Sequence, residues 1–516
     1  MINKIAKNIV SIISTIVLIV FVAIKLMYVT VVRNFSENVF MNLTTGLELM
    51  LYLAIDIAII VILKLFQKNK KISNKYVKIT IMIISIIIYS CIAIAWVKSS
   101  TVEPVDDSRC VNELAKAFAV GNMDGIRNSE YIEKYHNQIG MVLVIGTIYK
   151  VFRTTNYRLI QYINIIANVT TFIFLYLTLK KLERKYKINE IVYWGMMLTF
   201  IPLILLTTYV YGDYIGLALS SIGIYFVIGY MENKKIIKLI SSAIFMCLAY
   251  FTKMNYIIVI LSILIYLGLY LLQDIQEKNK KKIAKAFFNI LIYFFIAVMP
   301  VSLVKNYYIK KFEYKEELAL PTSVWIYMGM MESSRANGWY GDSVNEAWSN
   351  TPLAHETYPQ KVKYRIKEFM THPVYAVKFY LKKTISGWTD PYFQSLWYNV
   401  GWENKDEIMN NIINSKEYKI GEIYQKAIMV LMYIGALVAV VKNRKNLSNE
   451  LVLLITIFIG GVLFHTMWEM KSRYTLPYVI LLIPVSSIGI QDIVSKISYI
   501  GGKRNEKNIS SNTNVL

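Results

Sequence analysis

The sequence contains few of the residues that soluble enzymes and secreted domains commonly use. Only three cysteines and four histidines occur in 516 residues, and Cys91 and Cys247 fall within apolar runs. Cys110 is the one cysteine in a polar segment, so an intramolecular disulfide outside a membrane is not predicted. No HExxH or CxxC motif occurs, which argues against a dedicated zinc site. A Walker A motif and a GxGxxG motif are also missing, so nothing points to a nucleotide-driven motor.

Acidic residues are scarce as well, since 34 Asp and Glu stand against 57 Lys and Arg and the net charge is +23. In a soluble protein such an excess would suggest a nucleic acid partner. In a membrane protein, Lys and Arg instead mark the loops on the cytoplasmic side. We favour the second interpretation, and no nucleic acid is expected as a partner.

Long apolar runs make up much of the chain. Hydrophobic residues form 55% of the sequence, and the mean hydropathy is +0.42. A run of about 18 apolar residues can cross a bilayer as a helix, and the first run is too long for a cleavable signal peptide. The sequence therefore predicts an all-α polytopic membrane protein with about twelve transmembrane helices. The predicted spans are 9–32, 47–66, 79–97, 157–179, 190–210, 214–231, 236–252, 255–272, 286–304, 423–441, 449–467 and 474–492.

A further apolar stretch, residues 141–152, is predicted not to cross the bilayer. If it crossed, the basic residues of 180–187 would lie outside the cell, whereas without it the Lys and Arg clusters fall inside. Both termini are then cytoplasmic, and two long outer loops, 98–156 and 305–422, form helices at the membrane surface. We expect three regions along the chain. Residues 1–78 form a transmembrane hairpin with its cytoplasmic loop, residues 79–495 form the transmembrane domain expected to be catalytic, and residues 496–516 form a disordered cytoplasmic tail.

Candidate functional residues lie at the predicted outer ends of the spans, where a costly ionisable side chain is often functional. Asp106 and Asp107 follow the third span, and repulsion between adjacent carboxylates suits one of them to act as a general base. Alternatively, they form a solvated turn or cap a helix over 109–120. Asp213 lies in a short outer turn, where it could contact substrate or simply cap the next helix.

Two further outer turns carry cations. Lys253 and Asn255 interrupt an apolar stretch, and Lys253 could bind a phosphate or extend its ammonium to the membrane interface. In the last turn, Arg473 could clamp an oxyanion through two parallel hydrogen bonds. A structural i,i+4 pair between Glu469 and Arg473 is the alternative. All four histidines, including His136, fall on the predicted outer side.

The order of these residues resembles that of the GT-C membrane glycosyltransferases, notably bacterial relatives of protein O-mannosyltransferases and of the aminoarabinose transferase that modifies lipid A. Asp107, followed by Glu113-Leu114-Ala115 and Gly121, is similar to the Asp…A…G pattern of that family's first outer loop. Tyr135-His136-Asn137-Gln138-Ile139-Gly140 leads into the segment 141–152, which matches a helix that does not span in the family.

The resemblance covers roughly residues 79–495, and the N-terminal hairpin departs from the usual layout of the family. Its remaining motifs are Asp213, Thr252-Lys253-Met254-Asn255, Trp388-Thr389-Asp390-Pro391 and the run from Trp468-Glu469 to Arg473-Tyr474.

The resemblance implies an inverting glycosyltransferase of the bacterial plasma membrane. Its donor would be a polyprenyl-phosphate-linked sugar, and its acceptor an extracytoplasmic glycan, lipid or protein. Asp107 is implied as the general base, although Asp106 is the alternative. The implied substrate-binding residues are Asp213, Lys253, Asn255, His136, Glu469, Arg473 and Trp388. The resemblance implies no definite cofactor, since some relatives need none, although Asp213 could hold Mg²⁺ or Mn²⁺.

Two other functions fit a membrane protein with long outer loops. A flippase or transporter of lipid-linked sugars would line a path through the middle of the membrane with charged residues. A glycan polymerase or ligase would need an outer loop rich in Arg and His. The second outer loop is instead rich in Trp and Lys, and it contains six of the nine tryptophans. A glycosyltransferase is therefore the favoured hypothesis.

Overall fold

The computed structural model describes residues 2–68 and 74–512, and it begins with two helices joined by a β-hairpin. These elements are α1 (Ile2–Met27), β1 (Tyr28–Arg33), β2 (Asn38–Leu43) and α2 (Gly46–Lys68). The strands are antiparallel, with Arg33 opposite Asn38. The predicted first span, 9–32, is therefore wrong over its last five residues. Four of them, Val29, Thr30, Val31 and Val32, are β-branched and favour an extended backbone.

The first long loop follows α3 (Lys75–Ser99) and is helical. It contains α4 (Asp106–Val120), α5 (Met123–Arg127), α6 (Glu130–Lys134) and α7 (Ile139–Phe152). The 14 residues of α7 extend about 21 Å at about 1.5 Å per residue, which is less than the hydrocarbon thickness of about 30 Å. Gly146 of α7 lies directly against Ala115 and Phe118 of α4. The segment predicted not to cross is thus a short helix packed on the loop itself.

The central part of the chain contains α8 (Arg158–Leu182), α9 (Glu190–Thr199), α10 (Pro202–Leu205), α11 (Asp213–Asn233), α12 (Ile236–Thr252), α13 (Ile257–Gln276) and α14 (Lys280–Lys311). The predicted span 190–210 is broken, since α9 and the helical residues from Pro202 to Thr208 meet at a bend of 54°. Pro202 lacks the N–H that would continue the helix of α9.

The second long loop contains α15 (Thr322–Gly329), α16 (Asp342–Ser349), α17 (Thr351–Thr371), α18 (Pro373–Trp388), α19 (Ser395–Tyr398) and α20 (Lys405–Asn414). The helical chain breaks at Pro373, because α17 ends two residues before this proline and α18 begins at it. Proline is favoured as the first residue of a helix, where its missing N–H has no partner to lose.

The chain ends with α21 (Lys416–Asn443), α22 (Asn449–Met467) and α23 (Ser472–Asn512). The last helix continues to Asn512, since no proline after Pro484 interrupts it, and the disorder expected for the tail over residues 496–516 stays a prediction. Residues 513–516 of that tail and residues 69–73 of the predicted first cytoplasmic loop lie outside the described residues.

The described residues contain ten helices that are long and apolar enough to cross a membrane, or eleven if the bent pair counts as one span. The 17-residue α12 is a shorter apolar helix, so each of the twelve predicted spans corresponds to a helix or helix pair. The N-terminal hairpin is not set apart, because α1 and α2 both pack against α21. Phe21 of α1 contacts the rings of Trp388, Tyr433 and Phe458 at 5.0–5.6 Å.

Candidate functional site

Three charged residues from the ends of different spans meet in one buried cluster. Asp213 begins α11, Lys253 follows the last residue of α12, and Arg473 is the second residue of α23. The Lys253 ammonium donates to Asp213 Oδ1, and Arg473 Nη1 donates to Asp213 Oδ2 at 3.0 Å. Two cations therefore share one carboxylate, and the cluster carries a net positive charge.

This pairing excludes two alternatives raised by the sequence, a capping role for Asp213 and an ion pair between Glu469 and Arg473. Asp213 does not act as the cap of its helix, because Gly212 holds the cap position and makes no side-chain bond there. Arg473 pairs with Asp213 rather than with Glu469. The i,i+4 pair considered above is therefore not the ion pair that Arg473 forms.

Tyrosine rings enclose the two cations. The Arg473 guanidinium lies 4.3 Å from the ring centre of Tyr209 and 4.7 Å from that of Tyr398. The Lys253 ammonium lies 5.1 Å from the Tyr474 ring. Burial lowers the pKa of Lys253, against the opposing effect of the Asp213 carboxylate. Such an aromatic and water-poor setting strengthens the attraction of the cations for an anion.

The two adjacent carboxylates lie at the start of α4. Val105 is the cap residue of this helix, and its N–H donates to the Ser108 hydroxyl at 3.0 Å. The sequence alternative in which Asp106 or Asp107 caps a helix is therefore wrong. Both occupy the first turn, where the positive end of the helix dipole favours a negative charge.

Asp106 and Asp107 have different surroundings although they are neighbours in sequence. Asp107 Oδ1 accepts a hydrogen bond from the Tyr131 hydroxyl at 3.0 Å, and its charge acts on the buried Lys253 ammonium. Asp106 is exposed at the surface, yet nearby protein atoms partly desolvate its carboxyl. This desolvation raises the pKa of Asp106, whereas the Lys471 ammonium lowers it. Asp107 is thus the carboxylate associated with the cation cluster.

Glu469 joins the same region from the turn between α22 and α23. Its side chain is buried, and its carboxylate lies 3.5 Å from the Tyr474 hydroxyl. Burial raises the pKa of Glu469, while Lys471 lowers it and Asp107 raises it further. The structure therefore brings five predicted residues into one region: Asp107, Asp213, Lys253, Glu469 and Arg473.

A second ion cluster, made of Glu37, Arg335 and Lys471, adjoins this region. The sequence analysis did not identify Glu37 or Arg335 as site residues. Glu37 lies in the β1–β2 turn and is buried. Its carboxylate accepts hydrogen bonds from Lys471 at 2.9 and 3.1 Å and from Gln394 at 3.2 Å, and it pairs with Arg335. The turn of the N-terminal hairpin is therefore part of the site region.

Two predicted site residues lie elsewhere. Trp388 is 2% exposed and packs between Phe21 and Phe458, so it is a core residue of the bundle. His136 stacks on Tyr314 with ring centres 5.8 Å apart. Burial lowers the pKa of His136 to about 4, and no contact joins it to the Asp213 cluster within the described chain. Neither residue belongs to the Asp213 cluster, and their role in substrate binding stays a prediction.

Asn255 lines a narrow cleft that starts at Lys253. The cleft runs between the α12–α13 turn and α23, and its deeper walls are Val259, Pro477 and Leu481. Its lining is almost entirely apolar, except at the end where Lys253 and Asn255 lie. Its polar end therefore lies at Lys253 and Asn255, and its walls beyond them are apolar.

The region is poorly suited to a metal ion. No group of three or more His, Cys, Asp or Glu residues with suitable geometry occurs in residues 2–68 and 74–512. Both oxygens of Asp213 accept hydrogen bonds from cations. The residues present therefore do not fit the Mg²⁺ or Mn²⁺ site considered for Asp213.

Comparison with known proteins identifies a family for the chain but no activity. No curated protein matches the sequence. A family described as conserved hypothetical integral membrane proteins matches residues 4–493, which is nearly the whole chain. The match includes the N-terminal hairpin, both long loops and every residue of the candidate site. The chain belongs to this family of conserved hypothetical integral membrane proteins.

Proposed function

We propose that this protein is a membrane glycosyltransferase of the GT-C type that transfers a sugar from a polyprenyl-phosphate donor to an extracytoplasmic acceptor. The observation that supports this most strongly is the sharing of the Asp213 carboxylate by Lys253 and Arg473. This arrangement leaves one positive charge in an aromatic pocket beside a second carboxylate, Asp107. Such a site has the two parts that the reaction needs, which are cations for a leaving phosphate and a base.

Asp107 is the proposed general base. Its carboxylate would take the proton of an acceptor hydroxyl as that oxygen attacks the anomeric carbon of the donor sugar. A new carbon–oxygen bond forms on the face opposite the phosphate, so the configuration inverts. The hydrogen bond from Tyr131 holds one Asp107 oxygen and orients the carboxylate.

Lys253 and Arg473 are the proposed stabilisers of the leaving group. The bond between the anomeric carbon and the phosphate oxygen breaks, and the lipid phosphate departs with the electron pair. Prearranged cations at the point where negative charge develops lower the barrier without reorganisation. The apolar walls beyond Lys253, which include Val259 and Leu481, would face the part of the lipid nearest the phosphate.

Substitution of Lys253 by methionine tests the phosphate contact. Loss of a charge-assisted hydrogen bond to the leaving group should lower donor turnover about 10–100-fold. The measurement is the rate at which proteoliposomes consume a radiolabelled polyprenyl-phosphate sugar when supplied with acceptors extracted from bacterial envelopes. Lys235→Met is the matched control, because Lys235 is exposed and lies at the other end of the same helix. Full turnover by the Lys253 variant would contradict the proposal.

The proposed orientation in the bacterial plasma membrane has both termini inside and the site outside. Glu356 is exposed on α17 of the second loop, and Lys445 is exposed in the turn between α21 and α22. In a chain without Cys91, Cys110 and Cys247, a cysteine at position 356 should react with a membrane-impermeant maleimide in intact spheroplasts. A cysteine at position 445 should react only after lysis, and the reverse pattern would invert the orientation.

A further inference from the structure

Lys405, the first residue of α20, occupies an aromatic box beside the site region. Its side chain is 1% exposed, and its ammonium lies 3.4 Å from the ring centre of Trp397 and 4.6 Å from that of Trp402. Among the described residues, no hydrogen-bond acceptor reaches the Lys405 ammonium. An ammonium has three donors, and leaving them all unmet in a buried position is costly.

The turn of the N-terminal hairpin completes this box. The indole N–H of Trp397 donates to the Asn34 carbonyl at 2.8 Å, and the ring of Phe35 lies 4.8 Å from that of Trp402. Phe35 is 53% exposed, and Trp402 is half-buried. Phe35 and Trp402 therefore present an accessible aromatic surface next to a buried cation.

The box borders the carboxylate pair on the side of Asp106. Burial lowers the pKa of Lys405 to about 8, and Asp106 is the nearby charge that most opposes this. Lys471 acts on both Lys405 and Asp106. The box is separate from the Lys253–Arg473 cations that the proposed donor phosphate would occupy. An acceptor held in the box would therefore lie near Asp106.

We propose that the aromatic box of Phe35, Trp397, Trp402 and Lys405 binds the acceptor, and that this acceptor is a sugar carrying an acidic group. The sugar ring would pack on Phe35 and Trp402, and its anionic group would lie close to the positive charge of the covered Lys405 ammonium. This inference rests on the proposed glycosyl transfer, because it assigns the acceptor of that reaction.

The choice of an acidic rather than a neutral sugar follows from Lys405. A sugar hydroxyl brings no charge to a buried ammonium that has no anion bonded to it. An anionic group does, and opposite charges attract strongly where water is scarce. The flanking rings remove water from the contact and strengthen it further.

The experiment measures binding directly, with methyl glucuronide and methyl glucoside as probes. Saturation-transfer NMR on the full chain in nanodiscs should show tighter binding of the glucuronide. Lys405→Met should weaken glucuronide binding about tenfold or more and leave glucoside binding unchanged. Phe35→Ala should weaken both probes to a similar extent, because it removes stacking rather than charge. Lys416→Met is the matched control, since Lys416 is an exposed first residue of α21.

Each outcome bears on the proposal. Equal binding of the two probes by the wild-type chain, or unchanged glucuronide binding by Lys405→Met, would overturn it. If Lys405→Met does not fold, Lys405→Arg should fold and keep the preference for the glucuronide, and loss of that preference would also overturn it. The binding measurement needs no catalysis. A chain that prefers the glucuronide but consumes no donor would refute the transferase and leave the acidic-sugar site intact.

Discussion

Replacement of Asp107 by asparagine is expected to reduce sugar transfer by about 10²–10⁴-fold, which is the usual contribution of a general base. Asparagine has nearly the same shape and can still accept the hydrogen bond from Tyr131, but it cannot take a proton from the acceptor. The donor phosphate contacts at Lys253 and Arg473 are unaffected. The variant should therefore bind donor normally while consuming it slowly, as measured in proteoliposomes by donor consumption and by equilibrium binding.

Asp106→Asn is the informative comparison, because it alters the neighbouring carboxylate without touching the Tyr131 hydrogen bond. A smaller loss of transfer is expected, since Asp106 faces Lys471 and Lys405. Asp124→Asn is the control, as its carboxylate is largely exposed in the same loop. If Asp106→Asn abolishes transfer and Asp107→Asn does not, the general base is Asp106 rather than Asp107. If neither does, the proposed base is wrong, and sugar translocation without transfer becomes the function to test.

The membrane-spanning part of the fold could be predicted because its causes are local. Length and the absence of charge identify a span, and the break at Pro373 follows from the missing N–H of proline. The β-hairpin could not be found in this way, because the apolar residues Leu26 and Met27 at the end of α1 lead directly into Tyr28 and Val29 of β1. Its extended form depends on packing: Thr30 donates to the Ile385 carbonyl of α18 at 3.1 Å.

The composition of the site was predictable, but its pairings were not. Charged residues at span ends were found because such positions are unusual in an apolar sequence. Which carboxylate meets which cation depends on the packing of distant elements. Glu37 and Lys471 are 434 positions apart in the chain, and neither Glu37 nor Lys405 lies in a recognisable motif. The i,i+4 spacing of Glu469 and Arg473 was a misleading local pattern, since the partner of Arg473 is Asp213.

Replacement of Asp213 by asparagine is expected to destabilise the protein by about 3–5 kcal/mol, the usual cost of removing one partner from a buried ion pair. The change leaves Lys253 and Arg473 both buried without an anion, and neither can reach water easily. Thermal unfolding of the purified protein in detergent should show a clearly lower midpoint. Glu277→Gln is the control, because the Glu277–Lys282 pair is exposed and exposed ion pairs contribute little to stability.

A double variant separates electrostatics from packing at Asp213. If uncompensated charge causes the instability, Asp213→Asn combined with Lys253→Met should unfold at a higher temperature than Asp213→Asn alone, because one buried cation is gone. If lost packing causes the instability, the destabilisation of the double variant should equal the sum of those of the two single variants.

The same pair of cations also predicts an effect of phosphate. Without a bound phosphate the two cations require Asp213, and a phosphate anion can compete with Asp213 for them. Polyprenyl phosphate should therefore raise the unfolding temperature of Asp213→Asn more than that of the wild type, and an equal shift in both would contradict phosphate binding at this cluster.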